Sequence, residues 1–334
     1  MTRSEDKPGG TSSSDEGEPE DGKRFAILLA RDIAFAVILV AIILGAVFAY
    51  TQVWPPMVVV ESDSMQHSRT TSFLGVIDTG DLVLVQAVHQ ASDIVTYVEG
   101  RSQGYEAYSN YGDVIIFHKP DSSTTATPVI HRALVYVTKN PNGTMDVPSL
   151  ANLPADEWTG DIRGRATTSP VGLSNFTLTR IQSWDANALS FRDVTVNATA
   201  LRSSGFLTKG DHNPGRDNWS GFGVGVARIV GKARGELPWF GLIKLTLAPS
   251  PGACCPRWGD YAPKNSWDSL AITLVLLPLS LYLIDHAYGV GEDLWKGWSK
   301  SRKAAAGEST GDGEPPGGGG DRPGSEPPDD DGPR

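Results

Sequence analysis

The chain has 334 residues, of which 20% are charged, and its formal net charge is −10 at pH 7. A length of this order suits one sizeable globular domain with additional segments. The acidic balance argues against nucleic acid as a partner, because binding to phosphates requires clustered Lys and Arg. The two cysteines, Cys254 and Cys255, are adjacent, which indicates neither a disulfide framework nor a zinc site. We expect no metal and no cofactor.

The N-terminal part is predicted to be a disordered tail, residues 1–24, followed by a membrane-spanning helix over residues 25–54. The tail is rich in Ser, Gly, Asp and Glu, whereas every residue from 33 to 50 is apolar, Gly or Tyr. A spanning helix requires about 20 mostly apolar residues. The alternative is a cleaved signal peptide, with Val47-Phe48-Ala49 as the cleavage site. The apolar run, however, exceeds the usual h-region of about 7–15 residues.

The charges around this run predict its orientation. Lys23, Arg24 and Arg31 lie on its leading side, and the positive-inside rule places that side in the cytoplasm. Everything after Tyr50 is then expected outside the cytoplasm.

The region from 55 to 250 is predicted to be mainly β, because short apolar runs alternate with turns. The predicted buried strands are 58–60, 81–85, 113–117, 128–130, 133–137 and 225–230. We assign 55–138 and 207–250 to one β domain, and the more polar residues 139–206 to an inserted β-rich subdomain. Four Asn-x-Ser/Thr sequons suit an exterior location; they begin at Asn142, Asn175, Asn197 and Asn218.

A second apolar stretch, residues 266–286, is predicted to be a second transmembrane helix, with a buried or interfacial helix as the alternative. Four basic residues follow it and support a return to the cytoplasm: Lys296, Lys300, Arg302 and Lys303. Residues 296–334 are predicted to form a basic and then Gly-, Pro- and Asp-rich disordered tail. Both termini are expected in the cytoplasm, with the β domain outside the cell membrane.

Ser64 is a candidate nucleophile because it follows a predicted strand close to the end of the first predicted membrane helix. A serine nucleophile needs a base within hydrogen-bond reach and donors for the oxyanion. Without a base, Ser64 is an ordinary strand-end hydroxyl. The candidate bases are the six histidines: His67, His89, His118, His131, His212 and His286.

Chain position separates some of these histidines but not all. His286 lies on the cytoplasmic side, His89 has no partner nearby in sequence, and His67 is too close to Ser64 along the chain. His118 and His131 both end predicted buried strands, and the residues by themselves do not choose between them.

A carboxylate to orient the histidine is available in the loop 210–217, which contains Asp211 and Asp217. Its density of Asp, Asn and Gly suits a hydrogen-bonded loop shaped around a site. The alternative is an Asx-rich surface turn.

Five short motifs, in order, resemble those of the type I signal peptidase family, in its archaeal and endoplasmic-reticulum branch. Ser62-Asp63-Ser64-Met65 resembles the Ser-Gly-Ser-Met motif. Gly80-Asp81 and Gly112-Asp113, each followed by an apolar run, resemble the starts of two characteristic strands of that family. Val129-Ile130-His131-Arg132 resembles the Val-His-Arg motif, and 207–213 together with Asp217 resembles the last motif.

The resemblance implies that Ser64 is the nucleophile, His131 the general base and Asp217 its orienting carboxylate. Asp211 is then structural or an alternative orienter. The backbone N–H of Ser64 and the hydroxyl of Ser62 would form the oxyanion hole.

The chain departs from the family pattern at two positions near the nucleophile. Asp63 stands where Gly is usual and His67 where Pro is usual. The segment between His131 and Asp211 is also longer than expected. These departures are expected to affect substrate preference more than mechanism.

The predicted function is that of a signal peptidase I, a membrane-bound serine endopeptidase that removes N-terminal signal peptides from exported proteins at the outer membrane face. Expected partners are preprotein signal peptides, the lipid bilayer and the protein-export translocon. The substrate is expected to add as a strand beside 57–60. Two alternatives remain: a protease for pilin-like or surface-layer precursors, and a non-enzymatic surface domain that binds other proteins.

Overall fold

The computed structural model describes residues 18–185, 187–248 and 261–307. The predictions for residues 1–17, for 308–334 and for the pair Cys254 and Cys255 lie outside these described residues. The chain divides into two units, Met1–Ala271 and Ile272–Arg334.

The α-helices are α1 (Glu18–Thr51), α2 (Tyr97–Gln103), α3 (Gly241–Leu247) and α4 (Ser266–Gly307). The stretches Gly22–Thr51 and Ser266–Arg302 are long and apolar enough to cross a membrane. Helix α1 ends at Thr51 because Gln52 has a positive φ of 54° and two prolines follow soon after.

Both long helices differ from their predicted bounds. Helix α1 begins within the predicted tail 1–24, and α4 continues past 286 into residues 296–307, which were predicted to be disordered. Once a helix has formed, each further residue adds a hydrogen bond without a new nucleation cost. The Lys- and Ala-rich sequence after 296 has high helix propensity, so the helix extends through it.

The region between the long helices is mainly β, as predicted. Its strands are β1 (Met57–Val59), β2 (Leu82–Gln86), β3 (Glu106–Ala107), β4 (Asn110–Tyr111), β5 (Val114–Phe117), β6 (Val129–Lys139), β7 (Met145–Asp146), β8 (Trp158–Ile162), β9 (Arg165–Thr167), β10 (Asn175–Asp185), β11 (Ala188–Asn197), β12 (Gly205–Lys209) and β13 (Ile229–Leu237). Short 3₁₀ helices cover Ala91–Asp93, Pro148–Asn152, Ala198–Ala200 and Val226–Arg228.

Two predictions for this region are corrected, and two short helices were not predicted. The predicted strands 128–130 and 133–137 form one strand, β6, and the predicted strand 225–230 begins later, at Ile229. Helices α2 and α3, each of 7 residues, are too short to give a helical period that the sequence can reveal.

The main sheet has the strand order β1-β2-β13-β5-β6-β12, and β7 pairs with β6. A second sheet, β11-β10-β8-β9, comes from the predicted insertion 139–206, and β3 pairs with β4. Strand β1 lies at one end of the main sheet, so one of its edges has no strand partner among the described residues.

The insertion shares its hydrophobic core with the main sheet. Leu134 and Val137 of β6 lie in one buried cluster with Phe176 and Leu178 of β10 and Val196 of β11. An amphipathic sheet has to bury its apolar face against another element. The insertion therefore forms a sheet of its own that packs on the main sheet through one shared core.

Candidate active site

Ser64 lies in a turn that is anchored by buried apolar side chains on both sides. Val60, directly after β1, and Met65 are each 1% exposed and belong to one hydrophobic cluster. The turn closes with a hydrogen bond from the Gln66 N–H to the Asp63 carbonyl (3.1 Å). Ser64 itself is partly exposed. The flanking burial fixes the backbone on which this hydroxyl is presented.

The Gly80-Asp81 turn supports the same backbone. Gly80 has a φ of +96°, which favours glycine, and a Cβ at this position would collide with the Leu242 side chain. The Gly80 N–H donates to the Val60 carbonyl (2.9 Å), and Asp81 accepts a hydrogen bond from the Trp239 N–H (2.9 Å). This motif is therefore structural: it holds the strand that leads to Ser64.

Two potential oxyanion donors lie at the turn. Ser62 Oγ is 3.1 Å from Ser64 Oγ. In the described part of the chain the Ser64 N–H donates no hydrogen bond, so it is available to a ligand. This arrangement matches the donor pair that the resemblance implies.

His131 is held by Asp217. Its Nδ1 lies 2.6 Å from Asp217 Oδ2, and both side chains are 7% exposed. Because a carboxylate accepts hydrogen bonds, this contact places a hydrogen on Nδ1 and leaves the Nε2 lone pair to accept a proton. His118 has no such partner; its Nδ1 bonds to the Ala126 carbonyl (3.0 Å). Of these two histidines, only His131 contacts a carboxylate among the described residues.

Thr208 and Trp219 complete the surroundings of this pair, and sequence reasoning missed both. The Thr208 hydroxyl donates to Asp217 Oδ2 (2.7 Å), and Trp219 Nε1 donates to Thr208 Oγ1 (3.1 Å). The Trp219 ring stacks near the His131 ring, with centroids 6.4 Å apart. A threonine directly before Lys209-Gly210-Asp211 carries no recognisable signal, since Thr is common at strand positions.

Asp211 does not take part in this pair, which corrects its assignment as an alternative orienter. It receives two hydrogen bonds from Arg132, Nε to Oδ1 at 2.8 Å and Nη2 to Oδ2 at 2.6 Å. His67 Nε2 lies 3.1 Å from the same Oδ2. Burial favours the neutral acid, but the Arg132 guanidinium outweighs it and holds the pKa of Asp211 well below its usual range. Asp211 is structural because its charge is already neutralised by a buried cation.

The loop 210–217 connects the serine to the histidine. The His212 N–H donates to the Ser64 carbonyl (2.9 Å). A Cβ at Gly210 would lie 2.5 Å from that carbonyl oxygen, so this close approach requires glycine. The same loop ends at Asp217, which orients His131. No hydrogen bond joins Ser64 to His131 in the described residues; such bonds often tighten only when a substrate binds.

His67 explains one departure from the family pattern. Its ring stacks on Trp184 of β10, with centroids 3.5 Å apart and an interplanar angle of 2°. The Trp184 N–H also donates to the Asp211 carbonyl (3.0 Å). The insertion therefore braces the turn that carries Ser64. No contact of Asp63 explains the other departure, since its side chain has no hydrogen bond among the described residues.

Lys209 is a buried basic residue that the sequence did not single out. Burial lowers its pKa to about 8, although Asp211 and Asp217 act in the opposite direction. Its Nζ donates to Ser183 Oγ and to the Gly210 carbonyl, each at 3.0 Å. Lys209 thus ties the loop to the insertion rather than serving His131.

A groove of about 420 Å³ runs beside the turn. Its walls include Val58 and Val59 of β1, Ile116 of β5 and Ile130, the residue before His131. The hairpin 124–128 lines another side. An extended peptide in this groove would lie along the edge strand that leads to Ser64.

The described residues contain no group of three or more His, Cys, Asp or Glu that could hold a metal ion.

Comparison of the chain with models of known families, with curated proteins and with solved structures finds no match. The functional argument therefore depends on the geometry of the site and on the five motifs.

Proposed function

We propose that this protein is a membrane-anchored serine endopeptidase of the signal peptidase type. The observation that carries the proposal is the buried His131–Asp217 pair, 2.6 Å apart, joined through one loop to a partly exposed serine at the end of an edge strand. A domain that only binds other surface proteins does not need a carboxylate-oriented histidine with its second nitrogen unoccupied.

In the proposed reaction His131 carries the proton from Ser64 to the leaving amine. His131 Nε2 accepts the proton of Ser64 as the hydroxyl oxygen attacks the scissile carbonyl. The Ser64 N–H and the Ser62 hydroxyl stabilise the oxyanion. The imidazolium then gives its proton to the leaving amine, and water, activated by the same histidine, hydrolyses the ester on Ser64. Asp217 fixes the tautomer of the neutral His131 imidazole and stabilises the imidazolium that forms from it.

The substrate is an extended segment at the end of a signal peptide. It adds as a strand to the free edge of β1, since main-chain hydrogen bonds along an edge accept many sequences. The groove has apolar walls at Val58, Val59, Ile116 and Ile130 and polar ones at Glu61, His118 and Lys244. The resemblance to the family implies that its apolar parts accept small side chains. This mode fits a protease that processes many exported proteins with one site.

The two long apolar helices serve as membrane anchors in this proposal. The basic residues Lys23, Arg24 and Arg31 place the N-terminus in the cytoplasm and the β domain on the outer face. There the site lies next to the bilayer in which the signal peptide is inserted and close to the protein-export translocon.

The test uses the purified full chain in lipid vesicles with an exported preprotein, and the N-termini of the products are determined by mass spectrometry. We expect wild type to release the mature N-terminus and Ser64→Ala to release it on the order of 10⁶-fold more slowly. His89→Ala, which changes an exposed histidine outside the site, is the matched control for histidine variants and keeps wild-type activity. Cleavage that is undiminished in both Ser64→Ala and His131→Ala would contradict the proposal.

A further inference from the structure

Two of the four sequons have the same local geometry. In the hairpin between β6 and β7, Asn142 Oδ1 accepts hydrogen bonds from the Thr144 N–H (3.0 Å) and hydroxyl (2.7 Å). At the end of β11, Asn197 Oδ1 accepts from the Thr199 N–H (2.8 Å) and hydroxyl (2.7 Å). Both asparagines are exposed. No hydrogen bond of the described residues uses their Nδ2 atoms, so both amide nitrogens face solvent without a partner.

Asn175 is occupied. It lies within β10, directly opposite Asn197 in the register, and its Nδ2 donates to Asp161 Oδ2 (2.9 Å). The third residue of its sequon, Thr177, hydrogen-bonds across the sheet to Thr195 (2.9 Å) and not to Asn175. In this sequon Nδ2 is held by Asp161, and the hydroxyl is not directed at Asn175 Oδ1.

The side chain of the fourth sequon asparagine, Asn218, has a different hydrogen-bond partner. Its Oδ1 accepts from the Gly221 N–H (3.1 Å), and the Ser220 hydroxyl donates to Asp121 Oδ2 (3.0 Å). The middle residue, Trp219, is held in the candidate active site by its bond to Thr208. A transferase that needs this sequon in an open conformation would have to disrupt the active site.

We propose that Asn142 and Asn197 are N-glycosylated and that Asn175 and Asn218 are not. The donor is an oligosaccharide carried on a lipid phosphate at the outer face of the membrane. A carbon–nitrogen bond forms between the anomeric carbon and Nδ2, and the bond from that carbon to the carrier's phosphate oxygen breaks. The phosphate leaves with the bonding electrons, and Nδ2 loses one proton.

The hydrogen bonds on Oδ1 favour this step chemically. Two donors withdraw electron density towards the amide oxygen, which makes the hydrogens on Nδ2 more acidic and stabilises the amide as it loses a proton. A free asparagine amide lacks this assistance. Exposure, a free Nδ2 and a hydroxyl directed at Oδ1 coincide at Asn142 and Asn197 and at neither of the other two sequons.

Both proposed sites lie at one end of the insertion. Lys139, the last residue of β6, donates from Nζ to the carbonyl of Ala198, the residue after Asn197 (2.9 Å). The hairpin with Asn142 follows Lys139 within a few residues. Two sugars here would coat a polar end of the insertion. They would not touch the residues around Ser64 and His131 that the proposed reaction uses.

This inference depends on the exterior location of the β domain in the proposed function, and it does not depend on catalysis. The test is glycopeptide mapping and intact-mass measurement of the full chain purified from the membranes of the cells that produce it. We expect two glycans, at Asn142 and Asn197. Thr144→Ala and Thr199→Ala should each reduce occupancy at their own site at least tenfold, whereas Thr144→Ser and Thr199→Ser should retain it.

Thr177→Ala and Ser220→Ala are the matched controls and should leave the glycan mass unchanged. Sugar on neither Asn142 nor Asn197, on one of the two, or on Asn175 or Asn218 overturns the inference. A Ser64→Ala chain should carry both glycans. Loss of proteolysis with intact glycans, or the reverse, therefore separates failure of the proposed function from failure of this inference.

Discussion

The fold contains two histidine–aspartate pairs, and they differ in what else contacts the carboxylate. Asp211 contacts His67 and is also held by two hydrogen bonds from the buried Arg132. Asp217 contacts His131 and receives its other hydrogen bond from the neutral Thr208 hydroxyl. A carboxylate that is already paired with guanidinium has little charge left to stabilise an imidazolium. Among the described residues, Arg132 donates to both carboxylate oxygens of Asp211, whereas no Lys or Arg donates to the carboxylate of Asp217.

The largest expected effect comes from breaking the His131–Asp217 pair, whose carboxylate receives no hydrogen bond from Lys or Arg among the described residues. In Asp217→Asn the amide can donate to Nδ1, which forces the hydrogen onto Nε2 and removes the proton acceptor. We expect kcat for preprotein cleavage to fall about 10³–10⁴-fold. Initial rates at saturating preprotein measure this loss. Thermal unfolding followed by circular dichroism should show little change, and a wild-type kcat would contradict the role of Asp217.

The same substitution in the other pair should act on stability instead. Asp211→Asn leaves Arg132 as a buried cation without its carboxylate, and such a loss typically costs about 3–5 kcal/mol. Chemical denaturation of the chain in detergent measures it. A variant that unfolds like wild type but cleaves 10³-fold more slowly, on the order of the Asp217→Asn effect, would reverse the assignment of the two aspartates.

A smaller effect should separate the two histidines. His67→Phe keeps the stacking on Trp184 and loses the hydrogen bond to Asp211, so we expect a loss of about 1–3 kcal/mol in stability and retained cleavage. His131→Phe should retain most of the stability and abolish cleavage. Parallel measurement of unfolding and cleavage in both variants tests this, and abolished cleavage in a folded His67→Phe chain contradicts it.

The smallest expected effect is in the pH dependence of stability. The pKa of Asp211 is lowered, so its contribution is fully present above the ordinary value of 3.8 and is lost as the pH falls below it. The free energy of unfolding should therefore differ between wild type and Asp211→Asn by a constant amount from pH 7 to 5. This difference should shrink below about pH 4. A difference that grows on acidification is the contrary result.

Asp78 provides a control of opposite sign. Burial, reinforced by the nearby Asp81, raises the pKa of Asp78 to about 8. Its contribution is present below its ordinary pKa and is lost as the pH rises towards 8, so Asp78→Asn should gain stability over wild type across that interval. The same unfolding series measures both variants, and an Asp78→Asn difference that does not change with pH would show that this carboxyl is not neutral in the fold.

The sequence predicts the β character of the domain because strands such as β2 and β5 are short apolar runs that follow Gly-Asp turns. It does not predict that the insertion shares the main core, because the polar faces of β10 and β11 dominate their composition. Through the five motifs, the sequence identifies Ser64, His131 and Asp217 as candidate catalytic residues. The resemblance already favours Asp217 as the orienting carboxylate, but the role of Asp211 needs the fold, because Arg132 and His67 reach Asp211 from distant parts of the chain. The long extension of α4 was missed because Lys and Ala suit both a tail and a helix.

In the proposed reaction Ser64 and His131 act as one catalytic unit. The most direct test is the rate of preprotein cleavage by the full chain in vesicles for Ser64→Ala, His131→Ala and the double variant. Residues that act as a unit show strongly non-additive losses, so the double variant should be no slower than either single variant. Losses that multiply, or cleavage at the wild-type rate in either single variant, would contradict the claim.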